Sequence, residues 1–150
     1  FAYHDASASF ADINPAAKSA TVGDMFHPTS NGLLASNGDA VFAGMDNPFR
    51  FIRFELDTVG SGGTVSYSYW DGGSWKSFTP ASGHSNLTAA LEELLLWQDY
   101  QTIPVDWQKR SVNSETCFWI KIEVVSDFTT EPVGSKGDAI SNLQRLRVGR

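Results

Sequence analysis

The sequence has few of the residues that usually support redox chemistry or metal binding. Its 150 residues include one cysteine, two methionines and three histidines. Cys117 has no second cysteine with which to form a disulfide within the chain, and the apolar run around it predicts a buried position. His4, His27 and His84 are far apart and do not have the spacing of metal ligands. The sequence therefore predicts neither a metal site nor another cofactor.

Positive charge is also scarce. Lys and Arg number 11 against 17 Asp and Glu, which gives a formal net charge of -6. Binding to nucleic acid or to an anionic membrane usually requires a basic surface. Here the one basic cluster, Arg145, Arg147 and Arg150, is interpreted as a solvated tail. No apolar run approaches the roughly 20 residues of a membrane span. We therefore expect no nucleic acid and no membrane among the partners.

Motifs for catalysis are missing as well. The sequence contains no GxxxxGK[ST], GxGxxG or GxSxG pattern. Glu92 and Glu93 are the only adjacent carboxylates of the sequence. Their segment has a helical composition, and neighbours on a helix point about 100° apart, which does not suit an acid/base pair. The sequence predicts that the protein is not an enzyme.

Aromatic residues, in contrast, are abundant. They make up 13% of the chain, including ten Phe and five Trp, and hydrophobic residues make up 41%. Each buried aromatic side chain removes about 150–250 Å² from water, so this set can stabilise a domain without disulfides or metal. A chain of this length commonly folds as one unit. We therefore predict a single domain over residues 1–150.

Strand patterns are strongest after residue 40. Residues 64–70 alternate between Val65, Tyr67 and Tyr69 on one face and small polar residues on the other. The dipeptides of Asp71–Gly73 predict a hairpin turn, and residues 118–124 form the clearest alternating strand. The predicted core includes six residues of these and neighbouring strands: Phe54, Tyr67, Tyr69, Phe118, Ile120 and Ile122.

Four further segments complete the predicted architecture. Residues 1–40, rich in small and polar types, predict an irregular N-terminal arm over a sandwich core of residues 41–150. The leucine spacing near 87–95 predicts one short helix. Residues 126–138 are interpreted as a loop, followed by a last strand over 140–148. The fold class that follows is all-β, an antiparallel, jelly-roll-like β-sandwich.

The tryptophans are the one group with binding chemistry. Trp70, Trp75, Trp97 and Trp107 could form a surface that stacks on sugar rings, with Asp71, Lys76 and Asp99 as hydrogen-bonding neighbours. Alternatively, the rings fill the core or a subunit interface, since most of them alternate with polar residues as core positions do. The first interpretation predicts a carbohydrate-binding module.

Four short motifs follow one another in an order that resembles a known group of proteins. They are Phe42–Phe49 (FAGMDNPF), Tyr69–Trp75 (YWDGGSW), Ile103–Trp107 (IPVDW) and Cys117–Ile122 (CFWIKI). This order, over roughly residues 40–125, resembles β-sandwich structural proteins of tailed bacteriophages and prophages. The leucine-rich segment 87–97 departs from the Gly/Thr-rich region usual there, and Lys121 stands where Arg is common.

The resemblance implies a virion structural protein without catalytic residues. We expect a capsid decoration protein that stabilises the shell by protein–protein contacts, with a tail, baseplate or fibre component as the alternative. The implied partners are the major capsid protein or tail proteins, and further copies of the chain in a homo-oligomer such as a trimer. The implied location is the virion, assembled in the host cytoplasm.

Overall fold

The computed structural model of the chain describes residues 2–4, 10–12, 18, 34–83 and 86–140. These residues form mostly β-strands in antiparallel sheets, and none of their elements is a helix. The strands are β1 Ala2–His4, β2 Phe10–Asp12, β3 Ala40–Met45, β4 Phe51–Thr58, β5 Thr64–Trp70, β6 Trp75–Phe78, β7 Leu91–Leu95, β8 Lys109–Val112, β9 Glu115–Ser126 and β10 Val133–Ile140.

The larger sheet has seven strands and is organised around β9. Its order is β2-β1-β3-β9-β5-β6, and β8 also pairs with β9. Phe118 of β9 pairs with Met45 of β3 and with Lys109 of β8, so β3 and β8 lie on opposite edges of β9. β8 therefore shares an edge with β5, and Gln108 N–H donates to Trp70 O at 2.8 Å where the two meet. The twelve-residue β9 is long enough to pair with both β5 and β8 along this edge.

The smaller sheet has three strands in the order β10-β4-β7, all antiparallel. Alternation along β4 determines which face is apolar: Ile52, Phe54 and Leu56 are buried, whereas Arg53 and Glu55 are half-buried and form an ion pair at 2.7 Å. This is the period of two expected of a strand with one apolar face.

One hydrophobic cluster, here called the inter-sheet cluster, contains side chains from both sheets. The larger sheet contributes alternate residues of β3, β5 and β9, and the smaller sheet contributes the apolar faces of β4 and β7. The structure places five of the residues predicted for the core in this cluster as buried side chains, and the sixth, Phe118, packs against it partly buried. The five are Phe54, Tyr67, Tyr69, Ile120 and Ile122.

The predicted short helix near 87–95 is wrong. Leu91–Leu95 forms strand β7, which pairs with β4. Leu87 has a φ of +59°, a left-handed value that no right-handed helix can contain. Leu94 is fully buried and Leu91 is 57% exposed, although a helix over this segment would place both on one face.

Two other segments also differ from the predictions. The predicted loop 126–138 is wrong in its second half, because β10 begins at Val133 and pairs with β4 through two register shifts. Residues 141–148 of the predicted last strand lie outside the described residues. In the predicted arm 1–40, β1 and β2 pair with each other and β1 pairs with β3, while most of the remaining arm also lies outside the described residues.

Candidate functional site

The four tryptophans singled out from the sequence do not share one surface. Trp97 and Trp107 are buried in the inter-sheet cluster, at 7% and 4% exposure, with ring centroids 5.9 Å apart. Phe78 stacks on Trp97 at 4.2 Å, and the Trp107 indole N–H donates to Trp119 O at 3.2 Å. Neither ring can offer a face to a ligand from solvent.

Trp70 and Trp75, in contrast, are half-buried on the opposite side of the larger sheet, here called the outer face. The β5–β6 hairpin pairs them directly across the two strands. Their centroids lie 5.7 Å apart and their planes cross at 67°. An aromatic platform on which a sugar ring stacks needs coplanar side-chain rings, so this edge-to-face pair does not supply one.

Alternation along β3 and β9 adds two more rings to the outer face. Val41, Ala43 and Ile120 point to the inter-sheet cluster, so their neighbours Phe42 and Trp119 point outward. The Phe42 ring lies 5.5 Å from Trp75 and 6.5 Å from Trp119. Together with Ala40 and Val112, these two form a second buried cluster, the outer cluster.

Gly44 makes room for the Trp119 ring. The two residues pair across β3 and β9, and a Cβ at position 44 would overlap the six-membered ring of the indole. The Trp119 N–H donates to Arg110 O at 2.8 Å, which ties the ring to β8. A glycine in this strand therefore serves the close approach of a large side chain.

Arg110 reaches the outer face through the geometry of a tight turn. Asn113 and Ser114 have φ values of +49° and +69°, which are typical of a two-residue hairpin turn. The turn pairs Val112 with Glu115 and Arg110 with Cys117. Arg110 thus lies on the same face as Trp119, and its guanidinium carbon is 3.8 Å from the Trp70 ring centroid and 5.6 Å from that of Trp75.

These side chains surround an open cleft of about 180 Å³, here called the aromatic cleft. Phe42 and Val112 are its buried lining, Trp75 and Arg110 are half-buried, and the other lining residues are exposed. Phe10, from β2, is 42% exposed and lies 5.8 Å from Phe42. The complete lining is Phe10, Phe42, Trp75, Arg110, Ser111, Val112 and Asn113.

Sequence reasoning identified Trp75 but missed Phe10, Phe42 and Arg110. Asn113 and Ser114 are residue types that favour a turn, and counting outward from that turn pairs residue 110 with 117 and places Arg110 on the face of Trp119. No local pattern links Phe10 or Phe42 to this face, because they reach it through pairing between strands that are distant in sequence.

A polar cluster lies on the other side of the β5–β6 hairpin. The Tyr69 hydroxyl donates to Asp106 Oδ1 at 3.0 Å, and Lys76 Nζ donates to Asp106 Oδ2 at 2.9 Å. The hydrogen bond from Lys76 lowers the pKa of Asp106, and the same bond raises the pKa of Lys76. Burial is the main reason that the pKa of Tyr69 is raised. This cluster fastens the loop before β8 to the hairpin.

The two carboxylates considered for sugar binding, Asp71 and Asp99, accept hydrogen bonds within their own turns. Asp71 Oδ1 accepts hydrogen bonds from the backbone of Gly73 and Ser74 at 2.8 and 2.7 Å, and these bonds lower the pKa of Asp71. Asp99 Oδ1 accepts from the N–H groups of Gln101 and Thr102, both at 2.9 Å. Both carboxylates therefore stabilise turns.

Cys117 is only half-buried, not buried as its sequence context predicted. It packs against the outer cluster, and burial raises the pKa of its thiol. The thiol is therefore protonated at neutral pH, and the protonated form is a poor nucleophile.

The described residues contain no group of three or more His, Cys, Asp and Glu that could hold a metal ion. None of their elements is a helix of the length and apolarity that a membrane crossing requires. Comparison of the chain with protein-family models, with curated proteins and with solved structures finds no match.

Proposed function

We propose that the protein is a structural component of a tailed-phage type of virion, with a capsid decoration protein as the first assignment. It stabilises the shell by contacts with the major capsid protein and with copies of itself in a homo-oligomer such as a trimer. We also propose that its two sheets form a β-sandwich of the jelly-roll type. The ordered motifs from Phe42 to Ile122 support this assignment through their resemblance to phage structural proteins.

The observation that carries the proposal is the composition of the outer face. A few residues contribute most of the binding energy of protein–protein contacts, and Trp, Tyr and Arg are enriched among them. Here Trp75 and Arg110 are half-exposed side chains at the rim of a buried aromatic cluster. Interfaces commonly have this arrangement of a packed apolar centre beside a partly solvated rim.

The test adds purified protein to capsids that lack it and images the particles by cryo-electron microscopy. We expect added density at regular positions of the shell, because a decoration protein repeats with the capsid symmetry. Density on the tail alone would replace the decoration assignment with the tail, baseplate or fibre assignment. Particles without added density on either part would refute a virion role.

Two variants test whether the outer face is the surface that contacts the capsid. Trp75→Ala removes a ring that lines the aromatic cleft and should weaken capsid binding at least about tenfold, the scale of an interface hot spot. Tyr100→Ala is the matched control, since Tyr100 is an aromatic residue, 54% exposed, that stacks with Arg50 away from this face. Equal capsid binding by the two folded variants would exclude the outer face as the contact surface.

A further inference from the structure

We propose that the aromatic cleft binds a short acidic segment of a partner protein. One carboxylate of that segment pairs with the Arg110 guanidinium, and a neighbouring aliphatic side chain packs against Phe42 and Trp75. This inference supplies the partner chemistry for the proposed contact surface and rests on that function for its biological setting. The binding chemistry itself is tested without a virion.

The charge of Arg110 is the first reason. Three lysines of the described residues have carboxylate partners: Lys76 pairs with Asp106, Lys109 with Asp46, and Lys121 with Glu123. Among the described residues no carboxylate lies within ion-pair distance of the Arg110 guanidinium, whose contacts are with the rings of Trp70 and Trp75. A partner carboxylate would complete this half-buried site.

The orientation of Arg110 is the second reason. The ring centroid of Trp70 lies 3.8 Å from the guanidinium carbon of Arg110, so the indole covers one face of this planar group. Stacking of this kind leaves the N–H groups at the edge of the plane free to bind both oxygens of a carboxylate. The ring also restricts the rotation of the side chain, so less conformational entropy is lost when an anion binds.

The size and walls of the cleft favour a peptide. Its volume of about 180 Å³ is below the roughly 300–1,000 Å³ of typical small-molecule sites, so it suits one or two side chains. Phe42, Trp75 and Val112 supply apolar walls, and the polar residues Ser111 and Asn113 line the rest of the cleft. A nucleic-acid strand is a poor fit, because it needs several cations and the chain carries a net charge of -6.

The test is a nuclear magnetic resonance titration of the full chain with two capped tripeptides. The first has the sequence Leu-Asp-Leu and the second has Leu-Asn-Leu, which has the same shape without the charge. We expect the Trp75 indole and Arg110 side-chain signals to shift with saturation on adding the acidic peptide. The amide peptide should bind at least about tenfold more weakly, since a charged hydrogen bond is lost.

Variants assign the effect to Arg110. Arg110→Gln should remove the preference for the acidic peptide, and Arg110→Lys should restore only part of it because an ammonium does not form the bidentate pair. Lys109→Gln is the matched control: it removes the adjacent cation, which lies 5.7 Å from the Phe118 ring, and should keep the full preference. If Arg110→Gln does not fold, the wild-type protein provides the test, since added salt must weaken binding of the acidic peptide selectively.

Three results would each overturn the inference. The first is the absence of a saturable shift of the cleft signals up to about 10 mM peptide. The others are equal binding of the two peptides and shifts confined to residues outside the cleft. Cleft signals that move with protein concentration alone would assign the cleft to a second copy instead. Peptide binding without capsid density would refute only the virion proposal, whereas capsid density without peptide binding would refute only this inference.

Discussion

At the scale of single residues, the outer face depends on one glycine. Gly44 has no side chain where the Trp119 indole crosses β3, and that indole is 3% exposed and held by its hydrogen bond to Arg110 O. A ring fixed on several sides has little room to move away from an added methyl group. Such overpacking displaces neighbours instead of filling space.

We therefore expect Gly44→Ala to lower the free energy of unfolding by about 1–3 kcal/mol. Gly73→Ala is the matched control, because the nearest atom to its added Cβ is Asp71 Oδ1, at an ordinary 3.7 Å. That variant should stay within about 0.5 kcal/mol of the wild type. Urea unfolding of the two variants measures the difference, and equal losses would contradict the packing of Trp119 over Gly44.

Asp106 gives a residue-scale prediction about pH. Its pKa is lowered in the folded protein, chiefly by the hydrogen bond from Lys76. The ionised carboxylate therefore stabilises the fold above its unfolded pKa of about 3.9, and this contribution disappears as the pH falls through the lower folded value. Asp106→Asn should have a lower Tm at neutral pH and a weaker further loss of Tm below about pH 4 than the wild type.

The control for this prediction is Asp46→Asn. Asp46 is 86% exposed at its side chain, and its oxygen lies 3.9 Å from Lys109 Nζ. Thermal unfolding from pH 7 to pH 2.5, about a unit and a half below the unfolded carboxylate pKa, compares the two variants. A pH profile of Asp106→Asn identical to that of the wild type would show that the Lys76–Asp106 bond contributes nothing to acid sensitivity.

At the scale of elements, segment 87–97 shows how two periodicities can fit one short sequence. Leu87, Leu91, Leu94 and Leu95 match a helical spacing, but burial from Leu94 to Leu96 follows a strand: Leu94 and Leu96 are buried and Leu95 between them is half-buried. Periodicity alone does not separate helix from strand in short apolar runs. Pairing with β4 determines the outcome, because it completes the backbone hydrogen bonds of β4 and buries Leu94 against the inter-sheet cluster.

This pairing predicts unequal effects of two identical substitutions. Leu94→Ala should lower the free energy of unfolding by about 2–5 kcal/mol, because Leu94 is fully buried. Leu91→Ala should change it by at most about 0.5 kcal/mol, because Leu91 is 57% exposed. Chemical denaturation measures both changes. Similar losses in the two variants would fit the helix, in which both leucines lie on one face.

Other elements were predictable because their local patterns have one interpretation. β5 alternates over six residues, and β9 has an apolar residue at every second position from 118 to 124. Asp71–Gly73 and Asn113–Ser114 have residue types that favour tight turns. β10 was missed because Gly134 and Gly137 resemble loop residues. In the structure this strand pairs with β4 through two register shifts, and irregular pairing of that kind leaves no clear period in the sequence.

At the scale of the whole molecule, the candidate site could be predicted only in part. The sequence predicted the hairpin turn at Asp71–Gly73 and singled out Trp70 and Trp75 among four tryptophans, and pairing across a hairpin is local. The cleft also needs Phe10 from β2, Phe42 from β3 and Arg110 from β8. These residues meet because β3 and β8 pair with opposite edges of β9, a strand order that local patterns do not determine. The division of the tryptophans between two faces has the same origin.

The inter-sheet cluster leads to the last prediction, which concerns cooperativity. Trp97 and Trp107 contact residues of the larger sheet, and Leu94 and Phe54 of the smaller sheet belong to the same cluster. Neither sheet can therefore unfold without exposing the cluster to water. We expect tryptophan fluorescence and far-ultraviolet circular dichroism to report one coincident transition in urea, as for a single domain. A fluorescence change that precedes the loss of strand signal would mean that the sheets separate before they unfold, and would contradict the single-domain prediction.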